Sequence, residues 1–193
     1  SFKDRGMAMV VAQARQLGLR KLAVPTQGNA GDSLVRYALA GDLSVVVAMP
    51  DDTPLPIMGS VAAAAHRFPG QVELVLKGPT IRESGALLKE QYVPRGWFSV
   101  ATFQEPGWRI EGKKSLGLEL AEPAAGDTRW SLPEAVVYPT GGGTGGLGVW
   151  KGWGGRRPVP LGHAGKADGP WRLYAIAGAS DHLDAQAGVR GLC

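Results

Sequence analysis

A chain of 193 residues, 44% of them hydrophobic, can bury a core in one sizeable or two small domains. Its net charge of +4 does not mark a nucleic-acid binder, because residues 1–150 are nearly balanced, the surplus lies mostly in 151–193, and no basic stripe interleaved with aromatics occurs. No apolar run approaches the ~20 residues of a membrane helix, and a single cysteine, Cys193, excludes an internal disulfide framework and fits a reducing, cytoplasmic setting.

The chain begins at Ser1, without a Met and already in a helical pattern, so it reads as a fragment. Ser1 to Gly6 leads into a helix over Met7–Leu17, with Gly18 placed as its stop. Lys21–Pro25 reads as a strand, followed by the small-residue loop Thr26–Gly31. Asp32 is placed to cap a helix over Ser33–Ala40. Ser44–Met49 is apolar almost throughout, the signature of a strand buried on both faces. Pro50–Pro54 turns into an Ala-rich helix, Ile57–Arg67. A strand over Val72–Leu76, a helix over Thr80–Gln91 and a strand over Trp97–Ala101 follow. Ile110–Ala121 reads as a helix carrying Leu116, Leu118 and Leu120. Ala135–Tyr138 is a strand, and the glycine run through Gly146 opens a last helix, Leu147–Lys151.

Strands separated by single helices predict repeated βαβ units: an α/β fold of open, mostly parallel sheets with flanking helices. Ligands of such sheets bind at the carboxyl ends of the strands. The loops 26–31 and 140–146 both sit at such ends. After Lys151 the character changes. Residues 152–170 are dominated by Gly, Pro, Arg and Trp with no period, and Arg172–Ala177 then reads as a strand. A long structureless stretch is uncommon inside a compact domain. Residues 152–193 are therefore expected to be an irregular tail, either partly read in a shifted frame or a flexible insertion, and an uninterrupted frame in the source DNA would exclude the former.

Four features carry chemistry. In Pro139-Thr140-Gly141-Gly142-Gly143-Thr144-Gly145-Gly146 successive glycines let several N–H groups point at one spot, and the following helix adds its positive end. The run reads as a seat for a phosphate or as a flexible turn. It has neither P-loop nor dinucleotide spacing. Lys3 stands at a helix start beside Phe2, where a cation is disfavoured and the amine becomes more nucleophilic; most lysines, however, are simply solvated. Asn29, between Gly28 and Ala30, offers an amide to an anionic oxygen or merely favours the turn. Arg109 is either a bidentate ligand for phosphate or carboxylate or an ordinary exposed arginine. An amine combined with a phosphate seat suits a phosphorylated aldehyde cofactor.

These motifs occur in order with Met49-Pro50-Asp51-Asp52-Thr53-Pro54 and Arg109-Ile110-Glu111-Gly112-Lys113-Lys114. Over about residues 1–151 the chain resembles the threonine synthase family, within the tryptophan-synthase-β-like, fold type II pyridoxal-phosphate enzymes. The resemblance implies that residues 1–151 form an incomplete cofactor-binding region with parts of both family domains, and that the cofactor is pyridoxal 5'-phosphate. By the same resemblance Lys3 carries the cofactor and moves protons, Asn29 meets its ring oxygen, and Gly141, Gly142, Gly143, Thr144 and Gly145 hold its phosphate. Thr26, Gln27 and Gly28 approach the substrate carboxylate, and Arg109 takes the substrate phosphate. The implied reaction converts O-phospho-L-homoserine and water to L-threonine and phosphate. A small molecule is thus the expected partner, with no nucleic acid, membrane or metal; a homodimer is compatible. The rival readings are a serine/threonine dehydratase, diaminopropionate ammonia-lyase or cysteine synthase-like enzyme, and a non-catalytic α/β domain that binds a phosphorylated ligand.

Overall fold

The computed structural model describes residues 1–102, 104–133, 135–140, 142–154 and 172–177. The chain divides into two compact units, Ser1–Gly112 and Lys113–Cys193. In the first unit, β1 (Lys21–Pro25), β2 (Ser44–Met49), β3 (Val72–Leu76) and β4 (Phe98–Ser99) form one sheet in the order β3-β2-β1-β4, every pair parallel. Parallel neighbours need crossovers, and α2 (Asn29–Ala40) and α3 (Leu55–Arg67) supply the first two. α1 (Phe2–Gln16) precedes them.

Side chains alternate faces along a strand, and both faces of this sheet are covered. Leu22, Val24, Val45, Val47 and Met49 pack with Met7, Val10 and Ala14 of α1, Leu34, Val35 and Ala38 of α2 and Val61 of α3. Ala23, Val46 and Ala48 face Leu88 and Tyr92 on the other side. That two-sided burial is why β1 and β2 have no polar alternation. Leu22 has none of its surface exposed. Leu22→Ala is expected to lower unfolding stability by ~2–5 kcal/mol, through lost transfer energy plus the cavity left behind. Urea denaturation checks this, and a loss below ~1 kcal/mol would contradict the packing described.

Strands 1 to 3 match the sequence reading residue for residue, whereas several other boundaries move. α1 is one helix from Phe2, capped by Ser1, whose hydroxyl accepts from the Lys3 N–H at 3.3 Å. α2 begins at Asn29 with Gly28 as its cap, so Asp32 is not the cap; it pairs with Arg36 at 3.0 Å. The reason lies in Thr26, whose hydroxyl takes the Gly28 N–H (3.1 Å) and donates to the Gly28 carbonyl (3.2 Å), turning the chain early. The helix expected over Thr80–Gln91 is α4 (Ile81–Leu87), widening to π pitch over Leu88–Tyr92 and tightening to a 3-10 turn over Val93–Arg95. Pro94 has no N–H for a regular turn, so the α pitch cannot continue through it. β4 shrinks to two residues.

α5 (Trp108–Ala121) starts two residues before the expected Ile110, because the buried Glu105 carboxylate accepts from the Trp108 and Arg109 N–H groups. In the second unit β5 (Ala135–Thr140) pairs in parallel with β6 (Arg172–Ala177), the strand expected in the tail. α6 (Thr144–Gly152) follows β5. Gly141, and residues 155–171 and 178–193, the bulk of the expected irregular tail, lie outside the described residues. No helix among the described residues is long and apolar enough to cross a membrane.

Candidate active site

The strand order of the first unit reverses beside β1, with β2 and β3 on one side and β4 on the other. In open parallel sheets the ligand crevice lies at the carboxyl ends of the strands at such a reversal. Thr26, Gln27 and Gly28 leave the end of β1 directly. Thr26 is buried and its hydroxyl is occupied in shaping the loop; the Gly28 N–H is the group that it holds. Gln27 donates to Asp52 at 3.0 Å, bridging to the turn after β2. Asn29, exposed at the first position of α2, keeps its amide at the surface of the same corner.

Arg109 is not an exposed arginine: it is only 7% accessible. One terminal nitrogen donates to the carbonyl of Val100, just past β4, and the other to the Thr102 hydroxyl at 3.2 Å. Its Nε is buried without a partner. Burial lowers its pKa to about 10, partly offset by the Glu105 carboxylate. The guanidinium is thus fastened to the end of β4 with its Nε–H unsatisfied, and an orphaned buried donor is costly unless something arrives to accept from it.

Lys3 joins this corner from the first turn of α1. Its neighbour Asp4 accepts from Ser33 at 2.6 Å, pinning that turn to α2 one turn along from Asn29. The Lys3 side chain keeps much of its surface exposed, with its Nζ 5.4 Å from the Phe2 ring centre. Its amine is nevertheless held below the ordinary lysine range, first by partial desolvation and then by the positive charge of Arg109. Water on the open side screens the second effect. The direction is toward a larger share of the neutral, nucleophilic amine.

In the second unit, the glycine loop ends at Gly143 in a left-handed conformation (φ 75°) as the cap of α6. A β-carbon is disfavoured at that φ. The first-turn N–H groups of a helix have no partner within it. Thr144, Gly145 and Gly146 form that first turn and are buried. Thr144 Oγ1 accepts from the ammonium of Lys113, 2.6 Å away on α5. Lys113 escaped the sequence reading. The signal was available: Arg109, Lys113, Gly117 and Ala121 fall four apart and form the buried stripe of α5, while Leu118 and Leu120, which look like its apolar face, are half exposed.

A lysine shifted toward its neutral form, in the first unit, and a glycine-capped helix start, in the second, are groups of the kind that an aldehyde bearing a phosphate uses, and both belong to an α/β protein with parallel sheets. The family model described as "Pyridoxal-phosphate dependent enzyme" matches residues 1–178, and the chain belongs to that family. The match runs past Lys151, where the motif resemblance stopped. Its cofactor is pyridoxal phosphate, and the residues present fit it. Among curated relatives, the threonine synthase of Methanocaldococcus jannaschii is 26% identical over 153 residues, 79% of this chain and 35% of that protein. The threonine synthase of Methanosarcina acetivorans is 25% identical over 190 residues, 98% of this chain and 40% of that protein. Among solved structures, the processed form of threonine deaminase isoform 2 from Solanum lycopersicum superposes with a TM-score of 0.72 at 19% identity, over 99% of this chain and 49% of that one. The fold is that of fold type II enzymes. The chain therefore spans well under half the length of these curated relatives.

Proposed function

We propose that the protein carrying this chain is a threonine synthase-like enzyme converting O-phospho-L-homoserine and water to L-threonine and phosphate. The cofactor, when bound, supplies an electron sink conjugated to the substrate's α-carbon. In this reading residues 1–151 are the cofactor-binding region. Lys3 holds the cofactor's aldehyde carbon and, once released, moves protons at the substrate carbons. Asn29 donates its amide to the ring oxygen, the Gly141–Gly145 loop holds the cofactor phosphate, and the Thr26–Gly28 corner orients the substrate carboxylate. Arg109 takes the second phosphate, that of the substrate.

The observation that carries this reading is the buried, partly unsatisfied Arg109 guanidinium at the end of β4, in the electrostatic neighbourhood of Lys3. An enzyme whose substrate has no phosphate gains nothing from a second anion site there. The threonine synthase names of the curated relatives support it further. The specific rival is a dehydratase, since a threonine deaminase shares the fold.

The deciding experiment supplies the protein with pyridoxal phosphate and, separately, O-phospho-L-homoserine and L-threonine. Release of inorganic phosphate with formation of L-threonine is expected from the first, and Arg109→Ala should raise its KM roughly tenfold or more, the range for losing charge-assisted hydrogen bonds. Ammonia release from L-threonine without turnover of the phosphorylated substrate would replace this reading with the dehydratase.

A further inference from the structure

We infer that Lys113 is a positioning residue for the phosphate of the cofactor, acting through the Thr144 hydroxyl at the first turn of α6. The inference rests on the reading of residues 141–145 as the phosphate seat.

Lys113 is 2% accessible, among the most buried charged side chains of the described residues. Sequestering an ammonium from water costs several kcal/mol unless its surroundings compensate. Where the fold keeps one, its direction is informative. The Nζ donates at 2.6 Å to Thr144 Oγ1, a buried hydroxyl at the first position of α6. The backbone is built to bring the two together. A β-carbon at Gly148, one turn further along α6, would lie 2.5 Å from the Lys113 Cβ and 3.0 Å from its carbonyl carbon. Only glycine lets α5 come this close to α6.

A cation at a helix N-terminus opposes the positive end of the dipole. A dianion lying against the same first turn would be attracted by the helix end and by the ammonium together. Thr144 transmits this directly. A hydroxyl has one proton and two lone pairs. Accepting from Lys113 occupies a lone pair and leaves the O–H able to donate outward, strengthened by the charged donor behind it. The N–H groups of the first turn supply direction, while Lys113 and Thr144 supply charge.

The test measures equilibrium affinity for pyridoxal 5'-phosphate and for pyridoxal, which lacks the phosphate, by absorbance titration of the purified protein. Lys113→Gln keeps a donor for Thr144 and removes the charge. It is expected to weaken pyridoxal phosphate binding roughly tenfold or more, the scale of a charge-assisted hydrogen bond, and to leave pyridoxal affinity within about twofold. Lys113→Arg, which keeps the charge, should recover most of the loss. Equal weakening for both ligands, or no weakening, would overturn the proposal by reducing Lys113 to a packing role. Should Lys113→Gln fail to fold, Thr144→Val against Thr144→Ser decides: the serine must retain the phosphate preference and the valine must lose it. A wild-type protein that binds pyridoxal phosphate no better than pyridoxal would overturn the seat itself, and the proposal with it.

Discussion

Lys3→Ala is expected to abolish covalent capture of pyridoxal phosphate and to lower turnover on the order of 10³-fold or more, since one amine serves both as attachment point and as proton carrier. Borohydride reduction followed by peptide mapping checks the first part; the label should lie on the peptide containing Lys3 and vanish in the variant. A label elsewhere would remove Lys3 from the mechanism. The pH dependence follows from the electrostatics. Only the neutral amine attacks the aldehyde. Desolvation and then Arg109 depress the Lys3 pKa, so capture should persist at lower pH than for an ordinary lysine and fall as pH drops through the depressed value. Arg109→Met removes the second cause and should move that midpoint upward. The linked stability has the same sign: the folded state carries a penalty below the folded pKa, relieved as pH rises toward the unfolded one. An unchanged midpoint in Arg109→Met would mean that Arg109 does not act on Lys3.

Gly112→Ala should be among the most damaging small substitutions in the first unit. A β-carbon there would overlap the carbonyl oxygen of Arg5 and stand 2.9 Å from the Met9 Cβ. Backbone cannot rotate aside as a side chain can. We expect a loss of about 3 kcal/mol, at the upper end for overpacking, with a lower melting temperature. The disturbance also falls on α1, half a turn from Lys3, so weaker capture of pyridoxal phosphate should accompany the lost stability. Gly59 is the control. It lies within α3, where an added β-carbon would meet nothing within 4 Å, and Gly59→Ala should be neutral or stabilise by ~0.4–1 kcal/mol through the unfolded chain. If both variants behaved alike, the close approach of α1 and α5 would be wrong.

The fold class was legible because its signals are local. β1, β2 and β3 fall where short apolar runs end in glycine or proline turns, and for β1 and β2 two-sided burial leaves no other use for such runs. Helix starts were less legible. Asp32 looked like a cap, but Thr26, six residues upstream, had already turned the chain. Glu105 displaced the start of α5 in the same way. A contact between a side chain and a distant N–H is not a periodicity. The site divided along the same line. The glycine loop and Lys3 could be singled out by residue type, because left-handed backbone and a reactive amine need particular residues. Arg109 could be named as a candidate but not told from an exposed arginine, and Lys113 was passed over because the leucines of α5 mask the four-residue spacing of its buried stripe.

Sequence alone thus determined the order of strands and helices, the corner after β1 and, through the resemblance of its motifs, the family and cofactor, while α6 starts at Thr144, three residues before the expected Leu147. The first two follow from steric and hydrogen-bonding rules acting over a few residues. Tertiary structure decided that two leucines of α5 face outward while its arginine and Lys113 are buried, that Arg109 hangs from the end of β4 within the field of Lys3, and that Lys113 reaches Thr144. Those outcomes depend on which helix face meets a neighbour. Glycines that admit close backbone contact settled that choice, against the side on which the leucines lie.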